Sequence, residues 1–93
     1  MSYLVVSTLD GIDRVESRHE TYREAYVELL DRFFDYQRSC GCSEAYINYF
    51  YEMIQLGEDF KRQDCGVIVD DYPCFWSDVN PKHKYDIKII DQY

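Results

Sequence analysis

Residues 3–38, YLVVSTLDGIDRVESRHETYREAYVELLDRFFDYQR, change their hydrophobic period part-way along, and that change decides the fold class. Residues 3–8, YLVVST, are β-branched and apolar and read as a strand. Leu9-Asp10-Gly11-Ile12 reads as a two-residue hairpin, because Asp and Gly both tolerate positive φ. Residues 12–18, IDRVESR, return as a more polar edge strand. From Thr21 the period becomes helical. Thr21-Tyr22-Arg23-Glu24 fits the capping box, in which a hydroxyl and a carboxylate satisfy backbone amides at a helix start. A helix over 22–38 then places Tyr22, Ala25, Tyr26, Leu29, Leu30, Phe33 and Gln37 on one arc.

Working outward, Ser39–Cys42 breaks this helix and Ser43 is an N-cap for a second, over 44–56, ended by Gly57. The second helix is apolar almost all round. Ala45, Tyr46, Ile47, Tyr49, Phe50, Tyr51, Met53, Ile54 and Leu56 leave a wedge of Glu44, Asn48, Glu52 and Gln55. Such a helix needs cover on several sides, and a second copy of the chain is one candidate. Residues 58–64 read as a polar connection and 65–70 as a strand. Asp71-Tyr72-Pro73 reads as a turn, 74–76 as a short return, and Asn80-Pro81-Lys82 as another turn. Residues 84–91 are a last strand with Tyr85, Ile87 and Ile89 on one face. The expectation is an α+β fold in a single domain over 1–93. Its antiparallel sheet has about four strands in the order ββααββ, with both helices packed on one face.

The net charge is −8, and it is spread evenly: residues 1–47 and 48–93 each hold nine acids and five bases. Nucleic acid and anionic membranes should repel such a chain, so neither is an expected partner, whereas a basic protein is. Simple solubility is the alternative reading of the acidity. Ten tyrosines are more phenols than a small core readily satisfies, which places some of them on half-wet contact surfaces. The start, MSYLVVSTLDG, lacks a basic leader and its apolar run is too short to span a bilayer; a cytoplasmic protein with reduced cysteines is expected.

Within the first helix Glu24, Glu28, Asp31 and Asp35 recur at four, three and four residues and fall within about 60° of one another. Like charges at those spacings are mildly destabilising. The line is about 16 Å long at 1.5 Å per residue, enough to set two or three charges against a basic groove. The alternative is a solvated face whose repulsion is relieved by the flanking Arg23 and Arg32, with Arg38 past the end of the line. Nearby Tyr36 and Tyr51 would pack around the acids. A second acidic site places Trp76, Phe75, Tyr72 and Pro73 beside Asp70 and Asp71, an aromatic anchor for an arginine-rich partner.

No catalytic constellation stands out. Cys40-x-Cys42, Cys65 and Cys74 are spaced poorly for zinc, and buried free thiols are the simpler reading; at most they are weak metal candidates. Asp70, Asp71, Asp78 and His83 match no magnesium motif. His19 and His83 lack a nucleophile partner, and no Gly-x-Ser-x-Gly or phosphate loop occurs. A non-enzymatic protein without cofactors is expected.

In size, acidity, tyrosine content and carboxylate line, the chain resembles the small acidic anti-defence proteins of phages and mobile elements. These are anti-CRISPR and anti-restriction proteins that imitate DNA. The resemblance is one of general character over the whole chain and carries no shared motif. It implies an inhibitor of a host nuclease or CRISPR surveillance complex in the bacterial cytoplasm. Glu24, Glu28, Asp31, Asp35, Tyr36, Tyr51, Asp70, Asp71 and Trp76 would then form the surface that binds its basic channel. The alternative is a homodimeric binding module with its interface on the second helix.

Overall fold

The first hairpin forms where the sequence places it. In a computed structural model that describes residues 1–92, β1 (Ser2–Leu9) and β2 (Ile12–His19) pair antiparallel across Asp10 and Gly11, at φ 52° and 83°. The positive φ at both positions is what the Asp-Gly pair supplies. Asp10 is also tied to the far end of the chain. Its carboxylate accepts from the Lys84 amide at 2.9 Å and lies 2.6 Å from His83 Nδ1. The His83 contact and then the Lys84 amide hold its carboxyl below the usual range.

Two helices follow: α1 (Tyr22–Ser39), with the Thr21 hydroxyl accepting from the Glu24 amide, and α2 (Glu44–Ile54), with the Ser43 hydroxyl accepting from the Tyr46 amide. Four strands complete the chain: β3 (Phe60–Lys61), β4 (Cys65–Ile68), β5 (Cys74–Ser77) and β6 (Tyr85–Gln92). All neighbours are antiparallel, in the order β2-β1-β6-β5-β4-β3. The α+β class is as expected. The sheet has six strands rather than about four, and the element order is ββααββββ rather than ββααββ.

The extra strand lies inside the expected polar connection. A two-residue strand has no readable alternation, and its signal is Phe60 alone, whose ring sits 5.4 Å from that of Phe50. The short return at 74–76 becomes the full strand β5 because it is interior, between β4 and β6. The 65–70 strand stops at Ile68, since Val69 donates its amide to the Asp59 carboxylate instead of to a ladder. The second helix ends two residues before the expected position, with Gln55 as its C-cap.

Alternation sorts the sheet into two faces. Val5, Ile87, Ile89, Phe75, Val67 and Cys65 join a buried cluster with Ala25, Leu29 and Phe33 of α1 and Ile47 and Phe50 of α2. Leu4, Val6, Ile90, Cys74, Trp76 and Ile68 alternate to the opposite face. Trp76 lies over Gly66 there: a Cβ at residue 66 would collide with the Phe60 carbonyl and come within 2.8 Å of the indole Nε1. Gly66 is required by that close approach. Among the described residues no helix is long and apolar enough to cross a membrane.

Candidate functional site

The register of the β1–β2 pair shifts between Val5 and Val6, so that Ser17 opposes Val5, Val15 opposes Val6, and Glu16 is the extra residue. Bulges re-aim side chains. Glu16 is aimed at the helix layer, where Ser7 Oγ donates to one carboxylate oxygen at 2.7 Å and Arg32 Nη1 to the other at 3.0 Å. Arg32 Nε also donates to Glu28 at 2.6 Å. One guanidinium thus holds two carboxylates, from an edge strand and from the acidic line.

Arg38 does the same at the other end of α1. Its Nη1 donates to Asp35 at 3.1 Å and its Nε to Glu44 of α2 at 2.8 Å. The bond to Arg38 keeps the Glu44 carboxyl low. The four acids of the line are therefore not equivalent. Glu28 and Asp35 are ion-paired, whereas Glu24 and Asp31 carry no ion pair among the described residues.

Asp31 lines a groove between the two helices, about 430 Å³, with Val27, Leu30, Phe34, Ile47, Asn48 and Tyr51, and with Arg38, whose guanidinium is held by Asp35 and Glu44. Val27 is 52% exposed and Tyr51 46%. The structure thus brings Tyr51 and Asp31 together. Tyr36 lies elsewhere: its ring stacks on Tyr85 at 3.9 Å between centroids and 6° between planes. Burial there pushes its phenol up to about 12. The apolar circumference of α2 is partly covered from within the chain, because the Arg62 guanidinium lies 4.9 Å from the Tyr46 ring centroid and 5.4 Å from that of Tyr49.

The second acidic site is assembled differently from the sequence expectation. Trp76 and Phe75 alternate to opposite faces of the sheet, so Trp76 lines a recess with Asp59 and Asp78 while Asp70 and Pro73 line one on the other face. Phe75 and Pro73 do lie with Asp70 as expected, and two further rings come from α1. Tyr22 and Tyr26 stack at 6.0 Å and 25°, Tyr26 meets Phe75 edge-on at 6.4 Å, and these rings with Pro73 and Asp70 line a cleft of about 210 Å³. The bond from the Val69 amide holds Asp59 next to residue 69, and Asp59 lines the recess on the Trp76 face with Ile68 and Asp78, so the acids of these turns are Glu58, Asp59, Asp70 and Asp71. All four are exposed, and no ion pair engages them among the described residues. Neither Tyr22, Tyr26, Glu58 nor Asp59 stands out in sequence as a site residue. The helical arc assigns both tyrosines to the core, and nothing local shows that residue 59 reaches residue 69.

The cysteines do not converge. All four are free thiols; Cys65 faces the helices and Cys74 the opposite side of the sheet. Among the described residues no group of three or more His, Cys, Asp or Glu side chains is placed to hold a metal ion. Cys65 Sγ lies 2.9 Å from the Tyr46 hydroxyl, which is itself 2.9 Å from Asp64. Burial pushes the Cys65 thiol up to about 11, so it is a thiol rather than a thiolate at neutral pH. Asp70 and Asp71 precede β5 and Asp78 follows it, while His83 is bound to Asp10, so that quartet is not brought together either. His19 pairs with the Ser17 hydroxyl at 2.8 Å.

No family model matches this chain, and neither do any curated protein or solved structure.

Proposed function

We propose that the chain is a non-enzymatic binding protein that inhibits a host nucleic-acid-handling defence complex, such as a nuclease or CRISPR surveillance complex, by occupying its basic channel. The observation that carries this reading is the pairing of Asp31 with exposed Tyr51 and Val27 along one groove, with Glu24 further up the same helix. Free carboxylates beside half-wet aromatic and apolar side chains suit a protein interface with a cationic partner. Glu28 and Asp35, fixed by Arg32 and Arg38, contribute shape and position more than net charge. Binding draws on release of the counterions that such a channel otherwise holds. The competing reading, a homodimer through α2, draws on the exposure of Tyr51, but Arg62 already covers part of the helix.

The test is capture from a bacterial lysate on the immobilised chain and on a variant carrying Glu24→Gln, Glu28→Gln, Asp31→Asn and Asp35→Asn. A nucleic-acid-handling protein should be held by the parent at ~0.1 M NaCl and released at ~1 M, where the Debye length falls from ~10 Å to ~3 Å. The captured protein's nucleic-acid binding should be blocked by the parent and restored with the variant. Blocking that persists at high salt or in the variant overturns the reading.

A further inference from the structure

We infer that the cleft between α1 and the β4–β5 hairpin receives a single arginine side chain of the partner, a refinement that rests on the partner being basic. At about 210 Å³ the cleft is smaller than the ~300–1,000 Å³ of small-molecule sites, and suits one side chain. Its walls are aromatic and aliphatic: Tyr22 and Tyr26 on successive turns of α1, Phe75 and Pro73 from β5 and its preceding turn, and Ile54 from α2. Its one charged lining residue, among the described residues, is Asp70.

A negative group on the lip of an aromatic recess asks for a flat cation with a long apolar stem. Guanidinium meets both requirements. It stacks on rings, and its donors fork onto a carboxylate, whereas ammonium is a compact and strongly hydrated charge. Asp70 Oδ1 accepts the Asp71 amide at 2.9 Å, which steadies the carboxylate without neutralising it. Glu58, Asp59 and Asp71 outside the cleft extend the negative field toward an approaching cation. The chain uses the same chemistry internally, where Arg62 lies over Tyr46 and Tyr49.

The probe is N-acetyl-arginine amide, titrated into the intact protein and followed by NMR at the Tyr22 and Tyr26 rings and the Asp70 amide. N-acetyl-lysine amide and N-acetyl-norleucine amide run in parallel. Saturable shifts confined to the cleft are expected for the arginine probe, with the lysine probe weaker and the norleucine probe weakest. Asp70→Asn, on the exposed turn, should weaken arginine binding about fivefold, the worth of one exposed ion pair. Tyr26→Leu should weaken it further, and a dispersed amide spectrum will confirm that this variant folds. Equal response to norleucine makes the cleft an apolar recess and overturns the inference, as does an arginine response elsewhere on the surface or none. Loss of the cleft response with salt-sensitive partner capture intact rejects the arginine site alone; loss of capture rejects the broader reading.

Discussion

Along α1 two of the four aligned carboxylates, Glu28 and Asp35, meet arginines, whereas around the tip of the β4–β5 hairpin the acids meet backbone amides or solvent. Glu28 and Asp35 belong to a network that crosses elements: Arg32 joins β2 to α1, and Arg38 joins α1 to α2. Among the described residues the tip acids Glu58, Asp59, Asp70 and Asp71 form no ion pair, and Asp59 ties only the Val69 amide. What holds the tip is a set of rings, with Phe50 of α2 5.4 Å from Phe60 and 6.3 Å from Phe75. Charge spent on internal pairs is not available to a partner. Within the row legible in α1, Glu24 and Asp31, which the fold leaves unmatched among the described residues, are therefore a stronger sign of a binding surface than Glu28 and Asp35.

Removing the rings should have the largest effect. Phe50 is 1% exposed and touches the core from α2, so Phe50→Ala should cost about 3–5 kcal/mol. Urea unfolding at low and high salt is the measurement, and the loss should be the same at both because no charge is involved. A loss below about 1 kcal/mol would mean that the tip is held by something other than aromatic packing.

Next comes Arg32→Ala. Glu16 is 17% exposed and Glu28 31%, so their guanidinium partner is only partly screened; the substitution leaves Glu28 without its ion pair and Glu16 with only the Ser7 hydroxyl and exposed Arg14 at 3.8 Å. The expected cost is about 1–2 kcal/mol, above the range of an isolated surface pair because two acids share one cation. Unlike the Phe50 loss, it should shrink as NaCl rises toward ~1 M. A salt-independent loss would assign Arg32's role to its aliphatic stem packing rather than to charge.

The two regions also differ in how much of them the sequence discloses. The Asp-Gly turn, both N-caps and the helical arc of α1 rest on neighbours within four residues, and local spacing states them. Arg32 with Glu28 and Arg38 with Asp35 are of that kind too, at i,i+4 and i,i+3. Glu16 is not. It reaches Arg32 only because a bulge inserts it into β2, and a bulge leaves no signature in the alternation of IDRVESR. At the tip nearly everything is long-range. Phe60 reads as one apolar residue in a polar run, Asp59 needs residue 69 to be placed, and Tyr22 and Tyr26 become a cleft wall only once β5 lies beside them. Trp76 illustrates the converse. Sequence adjacency groups it with Phe75, but strand alternation sends the two rings to opposite faces.

The smallest expected effect is the sharpest test of the comparison. Glu58→Gln together with Asp71→Asn removes two tip charges that no cation opposes among the described residues. If the tip acids serve only a partner, unfolding free energy should move by no more than about 0.5 kcal/mol. The direction should be upward, since neighbouring carboxylates repel in the folded state and less so in the expanded chain. The same double variant should weaken capture of a basic partner at low salt and make no difference at high salt. Stability and binding would then separate cleanly at the tip, whereas at Arg32 they are bound together: any change there alters both the fold and the charge left for a partner. A destabilisation comparable to that of Arg32→Ala would erase the distinction, because it would show the tip carboxylates holding the hairpin as firmly as the paired acids hold α1.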